Sequence, residues 1–174
     1  NKTVVINLST SQMSADIAEK YNCKCIRAKV GEPNVVKDMI KNNAIIGGEG
    51  NGGVIFSAIN FARDSFVSLS LVLELLAERN QNVSEFVNSL STYFMKKDKM
   101  PVGKNLDEMY SKLKTHFIDA KFNEEDGLHL SFPDKSWIHL RPSNTEPIIR
   151  LFGEAQSQNQ IDSLFNEVKL TLGL

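Results

Sequence analysis

TVVINLSTSQMSADIAEKYNCKCIRAKVGEPNVVKDMIKNNAIIG, residues 3–47, sets the architecture of the first half of the chain. Apolar and β-branched runs at Thr3–Leu8, Cys25–Val30 and Ala44–Gly47 predict three short buried strands. Between these runs, apolar residues recur with the period of a helix. Strand, helix, strand, helix, strand is the pattern of an α/β domain, in which helices flank a mixed, mostly parallel sheet.

A glycine-rich loop comes next: Gly47-Gly48-Glu49-Gly50-Asn51-Gly52-Gly53 leads directly into the apolar run Val54–Phe56. Glycine permits the tight backbone turn that joins adjacent strands, so the loop predicts a hairpin. The following segment, from Phe66 to about Arg79, has a helical pattern that is apolar on most sides. We expect this helix to be buried.

The segment Lys96–Lys99 is charged and lacks periodicity, and Pro101 and Gly103 follow it. Charge runs of this kind are usually solvated, and proline and glycine interrupt regular structure. We therefore predict a linker here, which separates an α/β domain over residues 1–95 from a second domain over residues 96–174.

The second domain has a different pattern. An amphipathic helix is predicted after Asn105, four short strands near 118–123, 127–132, 136–141 and 147–152, and a last amphipathic helix after Ser157. Within residues 128–132, apolar and polar residues alternate, as in a sheet with one solvated face. These features predict a small α+β domain, with an antiparallel sheet and helices on one face.

Composition limits the possible partners. The chain of 174 residues is 41% hydrophobic and 24% charged, with a net charge of −1, which is ordinary for a globular protein. Neither half has a basic excess, which argues against nucleic acid as the main partner. The longest apolar stretch, Leu69–Ala77, is too short and too polar to span a bilayer, so we expect no membrane partner.

The two cysteines, Cys23 and Cys25, have the wrong spacing for a Cys-x-x-Cys redox or zinc site. We interpret them as reduced thiols of a cytoplasmic protein. No signal peptide is recognised. The chain runs from Asn1 almost directly into a strand, so we expect it to be a piece of a longer protein.

An anion site is predicted at Arg141-Pro142-Ser143-Asn144-Thr145-Glu146-Pro147-Ile148-Ile149-Arg150. Arginine presents a planar fork of donors that matches phosphate oxygens. Ser143 and Thr145 add hydroxyl donors, and Asn144 tolerates the backbone angles that turn amides toward an anion. The alternative is a polar turn in which Arg141 and Arg150 pair with nearby carboxylates.

A second candidate site lies in the glycine-rich loop. Glu49 offers two acceptor oxygens that can bridge adjacent sugar hydroxyls, and Asn51 can both donate and accept. The alternative is a flexible turn with a solvated carboxylate. The loop lacks the Lys-Ser/Thr of a phosphate-binding Walker loop, and its spacing differs from that of dinucleotide-binding glycine motifs.

Four segments in this order resemble the α-D-phosphohexomutase family, which comprises phosphoglucomutases, phosphomannomutases and phosphoglucosamine mutases. The segments are VGEPNV at 30–35, GEGNGG at 48–53, Arg63-Asp64, and RPSNTEP at 141–147. The resemblance covers essentially the whole chain, as the third and fourth domains of the family. The ordered set is more specific than either loop alone.

The resemblance implies that the protein interconverts hexose 1-phosphate and hexose 6-phosphate. It assigns sugar hydroxyls to Glu49 and Asn51. It assigns the non-reacting phosphate to the second loop, with the residues Arg141, Ser143, Asn144 and Thr145 and with Arg150 close behind. In the family, a phosphoserine of the first domain and a magnesium ion of the second domain carry the transfer, through a bisphosphorylated sugar.

Neither the serine nucleophile motif nor the Asp-rich metal loop of the family occurs here. The resemblance therefore implies no catalytic residue and no metal ligand in this chain, which would be inactive alone. Its partners would be a phosphorylated hexose and the missing N-terminal domains. The alternative is a non-catalytic module that binds or senses a sugar phosphate, and the sequence does not choose among the hexoses.

The family often follows Arg-Asp with Gly or Ala, whereas Ser65 follows Arg63-Asp64 here. The side chain of Asp64 is typical of a helix N-cap. For Arg63 two roles stay open, namely a salt bridge that fixes the loop and direct contact with the ligand.

Overall fold

Two separate sheets organise the computed structural model, which describes residues 2–101, 105–143 and 146–174. The chain divides into two compact units, which we call unit 1 (Asn1–Thr92) and unit 2 (Tyr93–Leu174). The predicted order of an α/β domain followed by an α+β domain is confirmed.

Unit 1 has a mixed, mostly parallel sheet. Its elements are β1 (Thr3–Asn7), α1 (Gln12–Lys20), β2 (Lys24–Ala28), α2 (Glu32–Lys41), β3 (Ile46–Gly48), β4 (Val54–Phe56), α3 (Ser65–Arg79) and α4 (Val83–Asn88). The strand order is β2-β1-β3-β4, with β1 parallel to both β2 and β3. Strand β4 runs antiparallel to β3, which confirms the predicted hairpin.

Helix α2 supplies much of the core of unit 1. Its buried residues Val35 and Met39 contact Val5 of β1 and Ile55 of β4 in one cluster. Because β1, β2 and β3 are parallel, their carboxyl ends lie at one edge of the sheet, which is where ligands bind in open α/β sheets.

The expectation that helix α3 is buried is wrong. None of its 15 residues is buried, and Phe66 is 84% exposed. An apolar pattern around a whole helix indicates that something covers it, but the pattern does not say which part of a protein provides the cover. The described part of this chain leaves α3 largely in solvent.

Unit 2 is an antiparallel sheet with two helices. Its elements are β5 (Phe94–Pro101), α5 (Leu106–His116), β6 (Lys121–Asn123), β7 (Leu128–Ser131), β8 (Trp137–Pro142), β9 (Ile148–Ala155) and α6 (Gln158–Leu172). The strand order is β5-β9-β8-β7-β6. Alternate strand residues such as Leu140 and Leu151 share one core with Leu113 of α5 and Phe165 of α6, so both helices cover the same face.

The predicted linker at Lys96–Lys99 is wrong, and unit 2 has a fifth strand in its place. These residues belong to β5, which pairs along its length with β9. Lys96 and Asp98 point toward α6, where Asp98 forms an ion pair of 2.5 Å with Lys169. Charged side chains protect an exposed sheet edge from pairing with other chains, so a charge run also suits an edge strand.

None of the helices in the described ranges combines the length and apolar character that crossing a membrane requires.

Candidate functional site

Glu49 is held firmly in the glycine-rich loop of unit 1. It follows β3 directly, and its side chain is only 6% exposed. The oxygen Oε1 accepts hydrogen bonds from the Asn7 side-chain amide and from the backbone N–H of Gly31, each at 2.8 Å. A carboxylate has about four acceptor positions, so Oε2 keeps acceptor capacity for a ligand.

Asn7 fixes the orientation of Glu49, a role that was not predicted from the sequence. Asn7 is the last residue of β1 and is 4% exposed. Its Oδ1 accepts hydrogen bonds from the backbone N–H of Ser9 (3.0 Å) and from Thr10 Oγ1 (2.9 Å), which directs the amide nitrogen toward Glu49. A polar residue that ends a buried parallel strand was the signal available in the sequence.

Arg63 ties the glycine-rich loop to the start of α2. Its Nε lies 2.6 Å from Glu32 Oε2, and its Nη1 lies 3.2 Å from Asn51 Oδ1 and 3.6 Å from Glu49 Oε2. The hydrogen bonds from Arg63 lower the pKa of Glu32. Of the two roles considered for Arg63, these contacts support the one that fixes the loop.

The glycine-rich loop requires a glycine at residue 53, where the side chain of Arg63 lies close to its backbone. Gly53 has a φ of +86°, and a Cβ at this position would lie 2.9 Å from Arg63 Cδ.

After Arg63, Asp64 caps α3 as predicted, since its Oδ1 accepts hydrogen bonds from the N–H groups of Phe66 and Val67. These backbone hydrogen bonds lower the pKa of Asp64.

In unit 2, three cations form a row across three strands. Arg141 of β8 is the register partner of Arg150 of β9, and Arg150 is the register partner of Lys99 of β5. Like charges directly opposite each other repel. Two carboxylates offset part of this charge. Arg150 lies 3.1 Å and Lys99 lies 3.8 Å from Glu146, while Arg141 lies 3.7 Å from Asp126.

The row of cations has capacity to bind an oxyanion. The Nε atoms of Arg141 and Arg150 are buried and have no hydrogen-bond partner within the described ranges. Buried donors without acceptors are costly, so an anion that reaches them gains hydrogen bonds. The N–H of Ser143 donates to the carbonyl of Ile148 at 2.9 Å, which closes the loop between β8 and β9.

Asn144 and Thr145, the other two predicted phosphate ligands, lie outside the described residues. Lys99 was not predicted as a site residue, because its charged surroundings indicated a linker. The run Lys96–Lys99 has no alternation of apolar and polar residues, so the sequence carried no local signal that would place Lys99 in a strand beside Arg150.

A tight turn at Gly127 lies against strand β8, which carries Arg141. Gly127 has a φ of +81°, and a Cβ here would lie 2.4 Å from the carbonyl oxygen of Leu140 and 2.8 Å from Arg141 Cα. His139 Nε2 donates a hydrogen bond to the carbonyl of Asp126 at 2.6 Å. The turn therefore presses against the strand that carries Arg141 and brings Asp126 to its guanidinium.

His139 makes the stability of unit 2 depend on pH. It is fully buried, and burial lowers the pKa of His139 below its ordinary value of 6.5. Near that pH the unfolded chain binds a proton that the folded chain does not, so acidification favours unfolding. The free energy of unfolding should fall by up to about 1.4 kcal/mol per pH unit below about pH 6.5.

Urea denaturation of the wild type and of His139→Gln, followed between about pH 7.5 and 5.5, tests this expectation. Glutamine can donate the same hydrogen bond to Asp126 but does not titrate. The variant should show the smaller loss of stability on acidification. Equal pH dependence in both proteins would show that His139 is not responsible.

Within the described ranges, no three His, Cys, Asp or Glu side chains come together in a way that could hold a metal ion.

Two family models match the chain. Residues 1–94 match the model described as phosphoglucomutase/phosphomannomutase, alpha/beta/alpha domain III. Residues 95–170 match the model described as phosphoglucomutase/phosphomannomutase, C-terminal domain. Together these matches cover nearly the whole chain.

Curated relatives include a phosphoglucomutase/phosphomannomutase of Thermococcus kodakarensis, 34% identical over 159 residues, which are 90% of this chain and 35% of the relative. A phosphoglucosamine/phosphogalactosamine mutase of Sulfurisphaera tokodaii is 33% identical over 97% of this chain and 38% of its own length. The chain thus spans little more than a third of the length of these relatives.

Solved structures share the fold. A phosphoglucomutase/phosphomannomutase family protein from Burkholderia thailandensis has a TM-score of 0.83 at 22% identity, over 99% of this chain and 37% of that one. An N-acetylphosphoglucosamine mutase of Aspergillus fumigatus, solved with GlcNAc-6P and magnesium, has a TM-score of 0.69 at 14% identity, over 98% of this chain and 38% of that one.

Proposed function

Since this chain belongs to the phosphoglucomutase/phosphomannomutase family, as its domain III and C-terminal domain, we propose that it is the substrate-recognition half of a phosphohexomutase. The whole enzyme would interconvert hexose 1-phosphate and hexose 6-phosphate. The observation that carries the proposal is the row that Lys99, Arg150 and Arg141 form across three neighbouring strands.

Unit 2 would hold the phosphate that does not react. Arginine forks match the geometry of phosphate oxygens, and hydrogen bonds between charged groups are the strongest available to a protein. The buried Nε atoms of Arg141 and Arg150 support this role, and Lys99 adds a third positive charge. Ser143, Asn144 and Thr145 would add donors from the loop.

Unit 1 would recognise the sugar hydroxyls through Glu49 and Asn51. Both side chains are held in place before any ligand arrives, Glu49 by Asn7 and Asn51 by Arg63. A group held in its binding geometry loses little conformational freedom when the ligand binds. Proteins catalyse phosphoryl transfer mainly by positioning the reactants and by stabilising charge, and these contacts would contribute to positioning.

The described residues do not fit a magnesium ion, because they contain no suitable cluster of ligands. In our proposal, the magnesium ion that supports the transfer and the phosphorylated serine belong to domains that precede residue 1. Cys23 and Cys25 are free thiols, which supports a reducing compartment such as the cytoplasm.

Glu49→Gln tests the proposal by separating sugar recognition from phosphate binding. Isothermal titration calorimetry should show weaker binding of glucose, mannose or glucosamine 6-phosphate by about 1–2 kcal/mol, because a charge-assisted hydrogen bond is lost. The affinity for inorganic phosphate should not change, because Glu49 belongs to unit 1 and the cations belong to unit 2.

Glu124→Gln is the matched control for this experiment. Glu124 is an exposed residue of unit 2 that pairs with Lys114 at 3.0 Å. It should leave the binding of every ligand unchanged. If Glu49→Gln weakens inorganic phosphate and hexose phosphates alike, Glu49 has a structural role and the assignment of the sugar loop fails.

A further inference from the structure

Helices α3 and α4 expose an apolar surface that the proposed function does not explain. Eighteen large apolar side chains are exposed within the described ranges, and six of them lie on these two helices. We call these six the α3–α4 surface: Phe66, Leu69, Val72 and Leu73 of α3, with Val83 and Val87 of α4. Each is between 47% and 84% exposed.

The exposed residues of α3 form one stripe. Residues three, four and seven positions apart share one side of a helix, so Phe66, Leu69 and Leu73 lie in line. Val67 and Leu71 lie on the opposite side and are half-buried. Helix α3 therefore has two apolar sides. Within the described part of unit 1, only the side with Val67 and Leu71 is partly covered by other residues.

The exposure of the stripe is not the result of a detached helix. Asp64 caps the first turn of α3, and Ser68 Oγ accepts a hydrogen bond of 3.0 Å from the N–H of Val54 in β4. At the other end, Arg79 donates to the hydroxyl of Tyr21 at 2.9 Å. Both ends of α3 are thus bonded to other parts of unit 1.

Exposed apolar surface of this kind favours packing against a partner. Apolar surface in water is unfavourable, and monomeric proteins rarely expose large contiguous apolar patches unless these take part in binding. Charged residues are depleted at the centre of such interfaces. The line of Phe66, Leu69 and Leu73 continues to Ala77 and includes no charged residue.

We propose that the α3–α4 surface packs against the domains that precede residue 1 in the full-length polypeptide. This inference rests on the proposed function. The chain covers only 35–38% of its curated relatives, and its two parts match domain III and the C-terminal domain, so most of the remaining length lies on the N-terminal side. That length is sufficient for further domains with apolar faces of their own.

Contact on α3 would also set the position of the sugar loop. Helix α3 begins directly after Arg63 and Asp64, and Arg63 contacts both Glu49 and Asn51. A domain that packs on α3 is therefore connected, through Asp64 and Arg63, to the residues proposed to bind the sugar hydroxyls. The interface would fix the sugar relative to the reacting groups of the preceding domains.

Hydrogen–deuterium exchange tests the proposal, with the full-length polypeptide compared with the chain of residues 1–174. The amides of α3 should exchange at least tenfold more slowly in the full-length protein. The amides of α6, whose apolar face is buried within unit 2, serve as the internal control and should exchange at equal rates. Equal exchange of α3 in both proteins would overturn the proposal.

The double variant Leu69→Glu/Leu73→Glu identifies the surface responsible. In the full-length protein it should remove the extra protection of α3, because a buried unpaired carboxylate prevents packing. The matched control is Ile118→Glu, which changes a residue of unit 2 that is 79% exposed. Protection of α3 that survives the double variant, or that is lost equally in the control, would count against the α3–α4 surface.

Two further outcomes separate the possible explanations. If the chain of residues 1–174 forms a dimer by sedimentation and its α3 protection rises with concentration, a second copy covers the surface and the proposal fails. Binding of glucose, mannose and glucosamine 6-phosphates, measured on the same samples, tests the proposed function separately. Intact binding without α3 protection would refute only the interface, whereas α3 protection without binding would refute only the function.

Discussion

Arg141→Ala is expected to weaken the binding of hexose phosphates by about 1.5–3 kcal/mol, a roughly 10- to 150-fold increase in Kd. The side chain of Arg141 is only 12% exposed, and its buried Nε has no hydrogen-bond partner within the described ranges. The substitution removes one cation of the row and the fork of donors that an oxyanion would meet. Isothermal titration calorimetry with glucose 6-phosphate measures the loss.

Two variants show whether the loss is specific. Arg141→Lys keeps the charge but removes the planar fork, so its affinity should be intermediate. Lys97→Ala removes a nearby cation of β5 whose ammonium lies over the ring of Phe152 rather than in the row, and its effect should be small. An unchanged Kd for Arg141→Ala would exclude the row as the phosphate site.

Gly127→Ala is expected to lower the free energy of unfolding of unit 2 by about 2–4 kcal/mol. Residue 127 has a φ of +81°, and the new Cβ would lie 2.4 Å from the carbonyl oxygen of Leu140. The strand that carries Arg141 would have to shift, because both clashing groups are backbone atoms. Urea denaturation followed by the fluorescence of Trp137, the single tryptophan, measures the change in unit 2.

Gly52→Ala separates the two causes of this destabilisation, namely the positive φ and the close contact of the new Cβ with Leu140. Gly52 also has a positive φ, +88°, but a Cβ there would meet nothing within 4 Å. Only the cost of the left-handed backbone remains, about 1 kcal/mol, measured by circular dichroism because Gly52 lies in unit 1. If the two variants lose equal stability, the close approach to Leu140 is not the cause.

Local pattern was sufficient to predict most of the fold. The alternation of strands and helices over residues 3–47 predicted the parallel strands, because short buried strands and amphipathic helices differ in period. The glycines after β3 predicted the hairpin to β4 because only a tight turn joins two such short strands. The alternation around Leu128 and Leu130 predicted strand β7, but the expected solvated face is wrong at this strand, because His129 is 2% exposed.

The errors arose where long-range contacts decide the structure. Lys96–Lys99 forms a strand because β9 is available to pair with it, and no local signal reports a partner about fifty residues away. The exposure of α3 likewise depends on what packs beside it rather than on its own residues. Asn7 and Lys99 were missed because their neighbours in space are distant in sequence.

The pairing of β5 with β9 also constrains how unit 2 is made in the cell. The first strand of the unit bonds to its last, so the sheet stays incomplete until the ribosome has released the residues through Ala155. A nascent chain that pauses before that point carries β5 with both of its edges unpaired. Such strands associate with other chains, so the interval between the synthesis of β5 and that of β9 is one in which unit 2 is exposed to misassembly.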